Sequence, residues 1–126
     1  RYNKPCPQKD DTAEILEKMI RSDVIVMATP VYFYTMSAQM KTLIDRCCGR
    51  YTEMGNKEFY FIATAAEGDR KLMERTIDTF QGFLDCLENP VIKGVVYGAG
   101  VWHTGEINDK PAMREAYEMG RHCLES

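Results

Sequence analysis

The chain has 126 residues, of which 44% are hydrophobic and 28% are charged, and its formal net charge is -3. This size and balance predict one small globular domain over residues 1–126, and they give no reason to expect nucleic-acid binding, which needs a basic excess. The longest apolar run, around residues 24–28, is far below the roughly 20 residues of a membrane-spanning helix, so no membrane partner is predicted.

The cysteines predict a reducing compartment. The chain has five, an odd number, and none of them forms a Cys-x-x-Cys pair or another spacing typical of zinc sites. Reduced thiols that pack as small hydrophobic side chains are the simpler interpretation. We therefore expect a cytoplasmic protein without a metal site.

Four segments are predicted in the first half of the chain. Residues 10–22 have apolar side chains at helical spacing and predict a helix, and the continuous apolar run 24–28 predicts a strand buried on both faces. Thr29 and Pro30 are expected to end that strand, because proline cannot donate to a β-ladder. Residues 32–35 predict an aromatic-rich loop, and residues 36 to about 50 predict a second helix with Met36 on its apolar stripe.

The second half repeats this alternation. Residues 59–64 predict a buried strand, residues 69–88 a long helix, and residues 91–97 a third strand that Lys93 and Gly94 interrupt. A loop from residue 98 to about 109 leads to a last helix, which begins near Pro111 and has Met113 and Tyr117 on its predicted inner face. The predicted order is therefore α-β-α-β-α-β-α.

Alternating helices and strands predict the fold class. Continuous apolar strands between helices are typical of an α/β protein with a doubly wound parallel sheet, in a three-layer α/β/α arrangement. Three strands are fewer than the usual number of about five. We therefore expect the first strand or strands of the sheet to lie upstream of residue 1.

Three predicted loops follow the strands, at residues 29–37, 64–69 and 98–107. Ligands of open α/β sheets bind at the carboxyl ends of the strands, so these loops form the candidate site. The aromatic side chains at 32–34 suit a flat ring system, and the small residues of the other two loops permit a close approach of the backbone to a ligand.

Each feature also has a plainer interpretation. The aromatic run 32–34 could cover a helix or lie in a subunit interface, and the glycines of the third loop could only form turns. Glu67 and Asp69 are more typical of a helix N-terminus than of acid catalysis. His103 has only a weak claim to a chemical role.

The residues from Val24 to Arg46 form a more specific pattern. It combines Pro-Val-Tyr at 30–32, Met-Ser-Ala-Gln-Met-Lys at 36–41 and Asp-Arg at 45–46. This pattern closely resembles the flavodoxin-like proteins of the NADPH-dependent FMN reductase family, whose branches include the iron–sulfur flavoproteins. Beyond residue 46 the resemblance depends on the order of the elements and the type of each loop.

The resemblance implies an FMN site in which the first loop lines the isoalloxazine ring, largely through backbone groups. The second and third loops would approach the same ring, and no side chain is implied as catalytic. The implied cofactor-binding residues are Pro30, Val31, Tyr32, Phe33, Tyr34, Thr35, Met36, Ser37, Thr64, Ala65, Gly68, Gly98 and Gly100.

The resemblance also implies an activity and partners. NADPH or NADH would reduce the flavin, which would then reduce a quinone, a free flavin or another small acceptor, and the protein would form a homodimer or homotetramer. Two alternatives stay open. One is an electron carrier without a nicotinamide substrate, in the manner of flavodoxin or an iron–sulfur flavoprotein, and the other is a non-catalytic interaction module that keeps the fold.

The phosphate loop of that family has no counterpart in this sequence. Family members bind the FMN phosphate with a loop rich in Ser, Thr and Asn after their first strand, and residues 1–126 contain no such loop. We therefore expect the C-terminal portion of a longer protein, with residues 1–9 as the joining segment. Cys6 could match the last of the clustered cysteines in the iron–sulfur branch, although a lone thiol is more typical of an inert surface residue.

Overall fold

The computed structural model describes residues 6–123 and 125, so residues 1–5 of the predicted joining segment lie outside the described range. The helices are α1 (Thr12–Arg21), α2 (Ala38–Arg46), α3 (Arg70–Leu84) and α4 (Pro111–His122), and the strands are β1 (Val24–Tyr32), β2 (Thr35–Met36), β3 (Glu58–Thr64) and β4 (Val91–Gly98). Short 3₁₀ turns occupy Cys47–Gly49, Tyr51–Glu53 and Glu106–Asp109. Among these described helices, none is long and apolar enough to cross a membrane.

The four strands form one sheet in the order β2-β1-β3-β4. β1, β3 and β4 run parallel, and β2 forms an antiparallel hairpin with the end of β1. This arrangement confirms the predicted α/β class and the parallel sheet, whereas the short strand β2 was not predicted. Within the described part of the chain, β1 pairs on its outer side only through Val31 and Tyr32.

One face of the sheet packs under α1, α2 and α3. Phe59 and Phe61 of β3 are fully buried there, and Phe61 stacks on Phe80 of α3 with ring centroids 4.5 Å apart. Met27 of β1 and Leu84 of α3 belong to the same hydrophobic cluster. Because burying one large apolar side chain stabilises a fold by roughly 1.5–3 kcal/mol, this cluster fixes the strands whose ends carry the candidate loops.

The opposite face is covered by α4 on the β4 side only. Met119 of α4 packs so closely on Gly94 that a Cβ at Gly94 would lie 3.0 Å from the methionine sulfur. On β1, Val26 is 51% exposed, while Ile25 and Met27 on the other face are buried. The prediction that residues 24–28 are buried on both faces is therefore wrong for the described residues, because no described helix packs over Val26.

The inner face of α4 is also different from the prediction. Met113 is 44% exposed and Tyr117 is 68% exposed, whereas Ala112 is buried. Met119 of this helix packs on Gly94 of β4, so the side of α4 with Ala112 and Met119, rather than the side with Met113 and Tyr117, faces the sheet.

Two boundaries near the first loop need correction. β1 continues through Pro30 to Tyr32 rather than ending at 29–30, which is tolerated because Pro30 lies where β1 is an edge strand and its missing N–H breaks no ladder with a described strand. Met36 belongs to β2 and is 4% exposed. Helix α2 begins only after Ser37, whose hydroxyl caps it by accepting from the Met40 N–H at 3.3 Å.

The interruption predicted at residues 93 and 94 is a register shift. Phe59 pairs with Ile92, but Tyr60 pairs with Gly94, so Lys93 is an extra residue in β4. Such a bulge bends one strand without ending the sheet, and β4 therefore continues to Gly98.

Candidate functional site

The three predicted loops meet at the carboxyl edge of the sheet, and the second and third are joined by backbone hydrogen bonds. The Ala65 N–H donates to the Gly98 carbonyl at 2.9 Å, and the Val101 N–H donates to the Ala65 carbonyl at 2.9 Å. The Gly100 N–H donates to the Glu67 carbonyl at 2.8 Å. These bonds hold the two loops as one rigid rim.

The first loop is a tight hairpin rather than an open loop. Val31 pairs with Met36 and Tyr32 with Thr35, so Phe33 and Tyr34 are the two turn residues. Both lie in the left-handed region, with φ of 48° and 65°. Glycine or asparagine is usual in such a turn, and a left-handed conformation costs a bulky residue roughly 1–2 kcal/mol.

Contacts with α3 and with β1 hold this hairpin. The Arg75 guanidinium lies 5.4 Å from the centroid of the Tyr34 ring, and the hydroxyls of Thr35 and Thr79 are 3.4 Å apart. At the base, the Thr29 hydroxyl accepts from the Ser37 N–H at 3.0 Å. The strained turn is thus fixed on both sides.

A crevice of about 160 Å³ lies between the hairpin, the second loop and the first turns of α3. Its lining contains four of the residues implied by the resemblance, namely Val31, Phe33, Tyr34 and Ala65. It also contains four residues outside the implied set, namely Ala66, Glu67, Leu72 and Met73. Leu72 and Met73 were hidden because their spacing fits the ordinary buried stripe of a helix.

The remaining implied residues lie beside the crevice, and several have evident structural roles. The side chain of Met36 is in the core, and the Ser37 hydroxyl caps α2. Gly98 is required by packing, since a Cβ there would lie 2.8 Å from Ile107 Cδ1, and Gly100 has a φ of 68°. Outside the lining of the crevice are Pro30, Tyr32, Thr35, Met36, Ser37, Thr64, Gly68, Gly98 and Gly100.

Free backbone donors give the crevice its chemistry. The N–H groups of Ala66, Glu67 and Gly68 donate no hydrogen bond to any other residue that the structure describes. Exposed donors of this kind are satisfied by water or by a ligand. Ala66 and Glu67 line the crevice beside its apolar wall, and Gly68 follows directly, so these donors could bond the carbonyl and nitrogen acceptors along one edge of a flavin ring.

Side chains of the third loop stabilise the rim and leave one large aromatic ring exposed. The Glu106 carboxylate accepts from the N–H groups of Trp102 and His103 at 2.7 and 3.0 Å, and these bonds lower the pKa of Glu106. Trp102 itself is 77% exposed. The Arg70 guanidinium lies 4.2 Å from the centroid of the Tyr97 ring, and burial is the main cause that raises the pKa of Tyr97.

A larger groove of about 620 Å³ lies between α2, the first 3₁₀ turn and α3. Its lining includes Cys47, Cys48, Tyr51, Gly82 and Cys86. It belongs to the helical layer rather than to the strand ends, where α/β proteins bind their ligands. We therefore take the smaller crevice as the candidate site, because it lies at the strand ends and offers free backbone donors.

The described residues include no cluster of metal ligands, and Cys6 lies on the surface. Across residues 6–123 and 125, no three or more His, Cys, Asp or Glu side chains are grouped so that they could hold a metal ion. Cys6 is exposed, and its sulfur lies 3.5 Å from an Arg46 guanidinium nitrogen.

Comparison with known proteins gives a family and a fold. The model of the NADPH-dependent FMN reductase family matches residues 1–104. An iron–sulfur flavoprotein of Archaeoglobus fulgidus is 49% identical over 95% of this chain and 67% of its own length. The FMN-dependent NADH:quinone oxidoreductase 2 of Pseudomonas aeruginosa is 30% identical over 68% of this chain and 51% of its own length.

A solved structure matches the fold as well. The Trp repressor binding protein of Bacillus subtilis superimposes with a TM-score of 0.73 at 24% identity, over 84% of this chain and 73% of that protein. At this level of identity the match concerns the fold alone, and it agrees with the three-layer arrangement described above.

Proposed function

This chain belongs to the NADPH-dependent FMN reductase family, and from that premise we propose that its carboxyl-edge crevice holds the FMN ring for an NAD(P)H-dependent reduction of a small acceptor. The family match confirms the predicted resemblance and the predicted class of protein, an FMN-binding oxidoreductase. The chain spans about two thirds or less of the length of these two relatives. The reaction of the whole protein is therefore part of the proposal.

The free N–H groups at Ala66, Glu67 and Gly68 carry this assignment, because they follow the end of β3, and Ala66 and Glu67 line the crevice beside its apolar wall. We assign these three donors to the carbonyl and nitrogen acceptors of the ring. Val31 and Leu72 would pack against its apolar part. The joined second and third loops would keep the donors in place, so that little reorganisation accompanies binding.

The overall reaction needs few groups from the chain. NAD(P)H loses two electrons and one proton, and a quinone acceptor gains two electrons and two protons, of which one comes from water. When bound, FMN supplies the electron chemistry between the two substrates. The residues of this chain bind and orient the ring and restrict the approach of water, and none of them is assigned as a catalytic acid or base.

A second candidate is an electron carrier that does not use a nicotinamide. The observation in its favour is the 49% identity with a relative named as an iron–sulfur flavoprotein. Cys6 is relevant to this alternative, because it could match the last of the clustered cysteines in the iron–sulfur branch. It is exposed on the surface. Reduction of the bound flavin by NADPH would count against this candidate.

We also propose a homodimer or homotetramer in the cytoplasm. Apolar side chains exposed on β1 and α4, such as Val26 and Tyr117, support an interface between subunits. Five free thiols suit a reducing compartment. Light scattering on the purified protein measures the oligomeric state, and a monomer at all concentrations would contradict the proposed dimer or tetramer.

The activity is tested by absorption spectroscopy on the protein from its full-length gene. With FMN added under anaerobic conditions, we expect a bound flavin spectrum that NADPH bleaches. A bound flavin that ignores both NADPH and NADH would favour the electron carrier. No bound flavin at micromolar protein would leave only the interaction module.

The position of the site is tested by two matched glycine variants. A Cβ at Gly68 or at Gly82 would meet no atom within 4 Å, so a side chain can start at either residue without a clash of its Cβ. We expect Gly68→Leu to weaken FMN binding at least about tenfold, because its side chain would occupy the space beside the donors. Gly82→Leu, in the larger groove, should leave the affinity unchanged, and the reverse pattern would place FMN in that groove.

A further inference from the structure

Lys110 places an ammonium group at the junction of the second and third loops. A Cβ at Gly100 would lie 3.8 Å from the Lys110 Nζ and 3.8 Å from the Gly68 Cα. Because Gly100 has no side chain, the ammonium group and the second loop face each other across the space beside it. Gly68 directly follows Glu67, which lines the crevice assigned to FMN. Lys110 therefore lies close to that crevice.

The charge of Lys110 is not balanced by an ion pair. Eight ion pairs join basic side chains to carboxylates in the part of the chain that the structure describes, and none of them includes Lys110. The side chain is also half-buried. A cation that has lost part of its hydration and has no carboxylate partner favours an anionic ligand.

A second unpaired cation lies on the α3 side of the same rim. Arg70 is the first residue of α3, and its guanidinium lies 4.2 Å from the centroid of the Tyr97 ring. Tyr97 directly precedes Gly98, whose carbonyl accepts from the Ala65 N–H of the second loop. Among the described residues, no carboxylate forms an ion pair with Arg70. The rim thus has one basic side chain from the helical layer on each face of the sheet.

The carboxylates of the rim are engaged by backbone donors instead. Glu67 accepts from the Asp69 N–H at 2.9 Å, and Asp69 accepts from the Lys71 N–H at 2.9 Å. Glu106 accepts from two N–H groups of the third loop. These carboxylates stabilise the loops and the start of α3, and they leave the two cations available to a ligand.

We propose that Lys110 and Arg70 bind a phosphate group of the nicotinamide dinucleotide. This inference rests on the proposed function, which requires NAD(P)H to reach the crevice. The two cations offset the carboxylates of the rim, which by themselves would repel an anionic substrate. Arginine binds phosphate through a planar pair of donors and lysine through a compact charge. Both are binding residues, because the phosphates of the dinucleotide take no part in electron transfer.

The order of the strands separates this phosphate site from the crevice for the flavin ring. The crevice lies between the hairpin after β1 and the loop after β3, whereas Lys110 follows the third loop, after β4. A dinucleotide whose nicotinamide reaches the flavin can extend its phosphates across the second loop toward β4. Its pyrophosphate and the 2′-phosphate of NADPH have the same chemistry for Arg and Lys, and only NADPH has the 2′-phosphate.

The kinetic test uses the full-length protein with FMN bound and a quinone at saturation. We expect Lys110→Gln to raise the KM for NADPH about tenfold with little change in kcat, because it removes an interaction made equally before and during the reaction. Arg70→Gln should also raise this KM. Lys110→Arg keeps the charge and should stay within about twofold of the wild type. Lys18→Gln, an exposed lysine of α1, is the matched control and should leave the KM unchanged.

The two dinucleotides distinguish the two phosphate groups. An equal rise of the KM for NADPH and for NADH in Lys110→Gln would assign the cations to the pyrophosphate, and a rise for NADPH alone would assign them to the 2′-phosphate. In both cases the difference between the wild type and Lys110→Gln should shrink as the salt concentration rises, because salt screens charges near the surface.

A binding measurement needs no turnover. Isothermal titration calorimetry is recorded with NADP⁺ and the oxidised protein with FMN bound. We expect the Kd to be about tenfold higher in Lys110→Gln and unchanged in Lys18→Gln. The affinity for FMN itself, measured by the quenching of its fluorescence, should be equal in the wild type and in both variants.

Two results would overturn the inference and leave the proposed function intact. The first is a wild type whose bound FMN is reduced by NADPH, together with an unchanged KM and an unchanged Kd in Lys110→Gln. The second is weaker FMN binding in Lys110→Gln with an unchanged KM for both dinucleotides, which would assign the ammonium group to the cofactor. A wild type that binds FMN but neither binds NADP⁺ nor is reduced by NADPH or NADH would defeat the proposed function and this inference together.

Discussion

Phe61 and Phe33 are both phenylalanines of the central sheet region, and their surroundings are opposite. Phe61 lies in β3, is fully buried and stacks on Phe80. Phe33 lies in the hairpin that ends β1, is 98% exposed and has a left-handed backbone. The core follows the local preferences of its residues and the hairpin breaks them, which is the pattern expected where function rather than folding selects a residue.

The largest effect is expected at the buried member of this pair. Phe61→Ala should lower the free energy of unfolding by about 3–5 kcal/mol, because it opens a cavity against Phe80 in a close-packed core. Urea denaturation followed by circular dichroism measures this change. A loss below about 1 kcal/mol would mean that the core is less tightly packed than described.

A smaller effect of opposite sign is expected at the exposed member. Phe33→Gly should raise the free energy of unfolding by about 1 kcal/mol, because glycine adopts a positive φ without strain. Gly100→Ala is the matched reverse change, since Gly100 has a φ of 68°, and it should lower the same quantity. Urea denaturation measures both, and a destabilised Phe33→Gly would show that the ring supports the fold.

The smallest effect is expected at the partly exposed ion pair between Asp10 and Arg46. Arg46 donates to both carboxylate oxygens of Asp10, at 2.7 and 3.2 Å, and these hydrogen bonds lower the pKa of Asp10 from 3.8 to about 2. Since the folded pKa lies below the unfolded one, the pair stabilises the protein above the unfolded value and loses this contribution as the pH falls toward the folded value.

Acid titration of unfolding in urea tests this pair. Wild-type protein should lose slightly more stability between about pH 4 and pH 2 than Asp10→Asn, which cannot titrate. Equal slopes would mean that the pair does not form in solution.

The sequence was sufficient for the overall fold and the family. Alternating apolar strands and helices predicted the parallel sheet, and the motif between residues 30 and 46 indicated the family that the comparisons confirm. It was insufficient at the hairpin. The turn at residues 33 and 34 contains no Gly or Asn to reveal it, and the alternation of Met36 fits a helix stripe as well as a strand.

The packing errors have a different cause. Whether Val26 is buried, and which side of α4 faces inward, depends on the elements that cover each face of the sheet. An apolar run in the sequence does not identify those elements. Leu72 and Met73 were missed at the crevice for the same reason, since a helix stripe looks alike whether it meets the core or a ligand. The FMN-binding roles that the resemblance implies for residues outside the crevice lining, such as Pro30, remain predictions.

Hydrogen exchange measured by mass spectrometry, with and without FMN on the full-length protein, tests the assigned site most directly. We predict slower exchange on FMN addition in peptides covering residues 30–37, 64–68 and 98–101, because the free backbone donors of the second loop would then be bonded to the ring. Peptides covering residues 44–51 and 79–86, around the larger groove, should not change. Protection confined to the groove, with none at the three loops, would contradict the account.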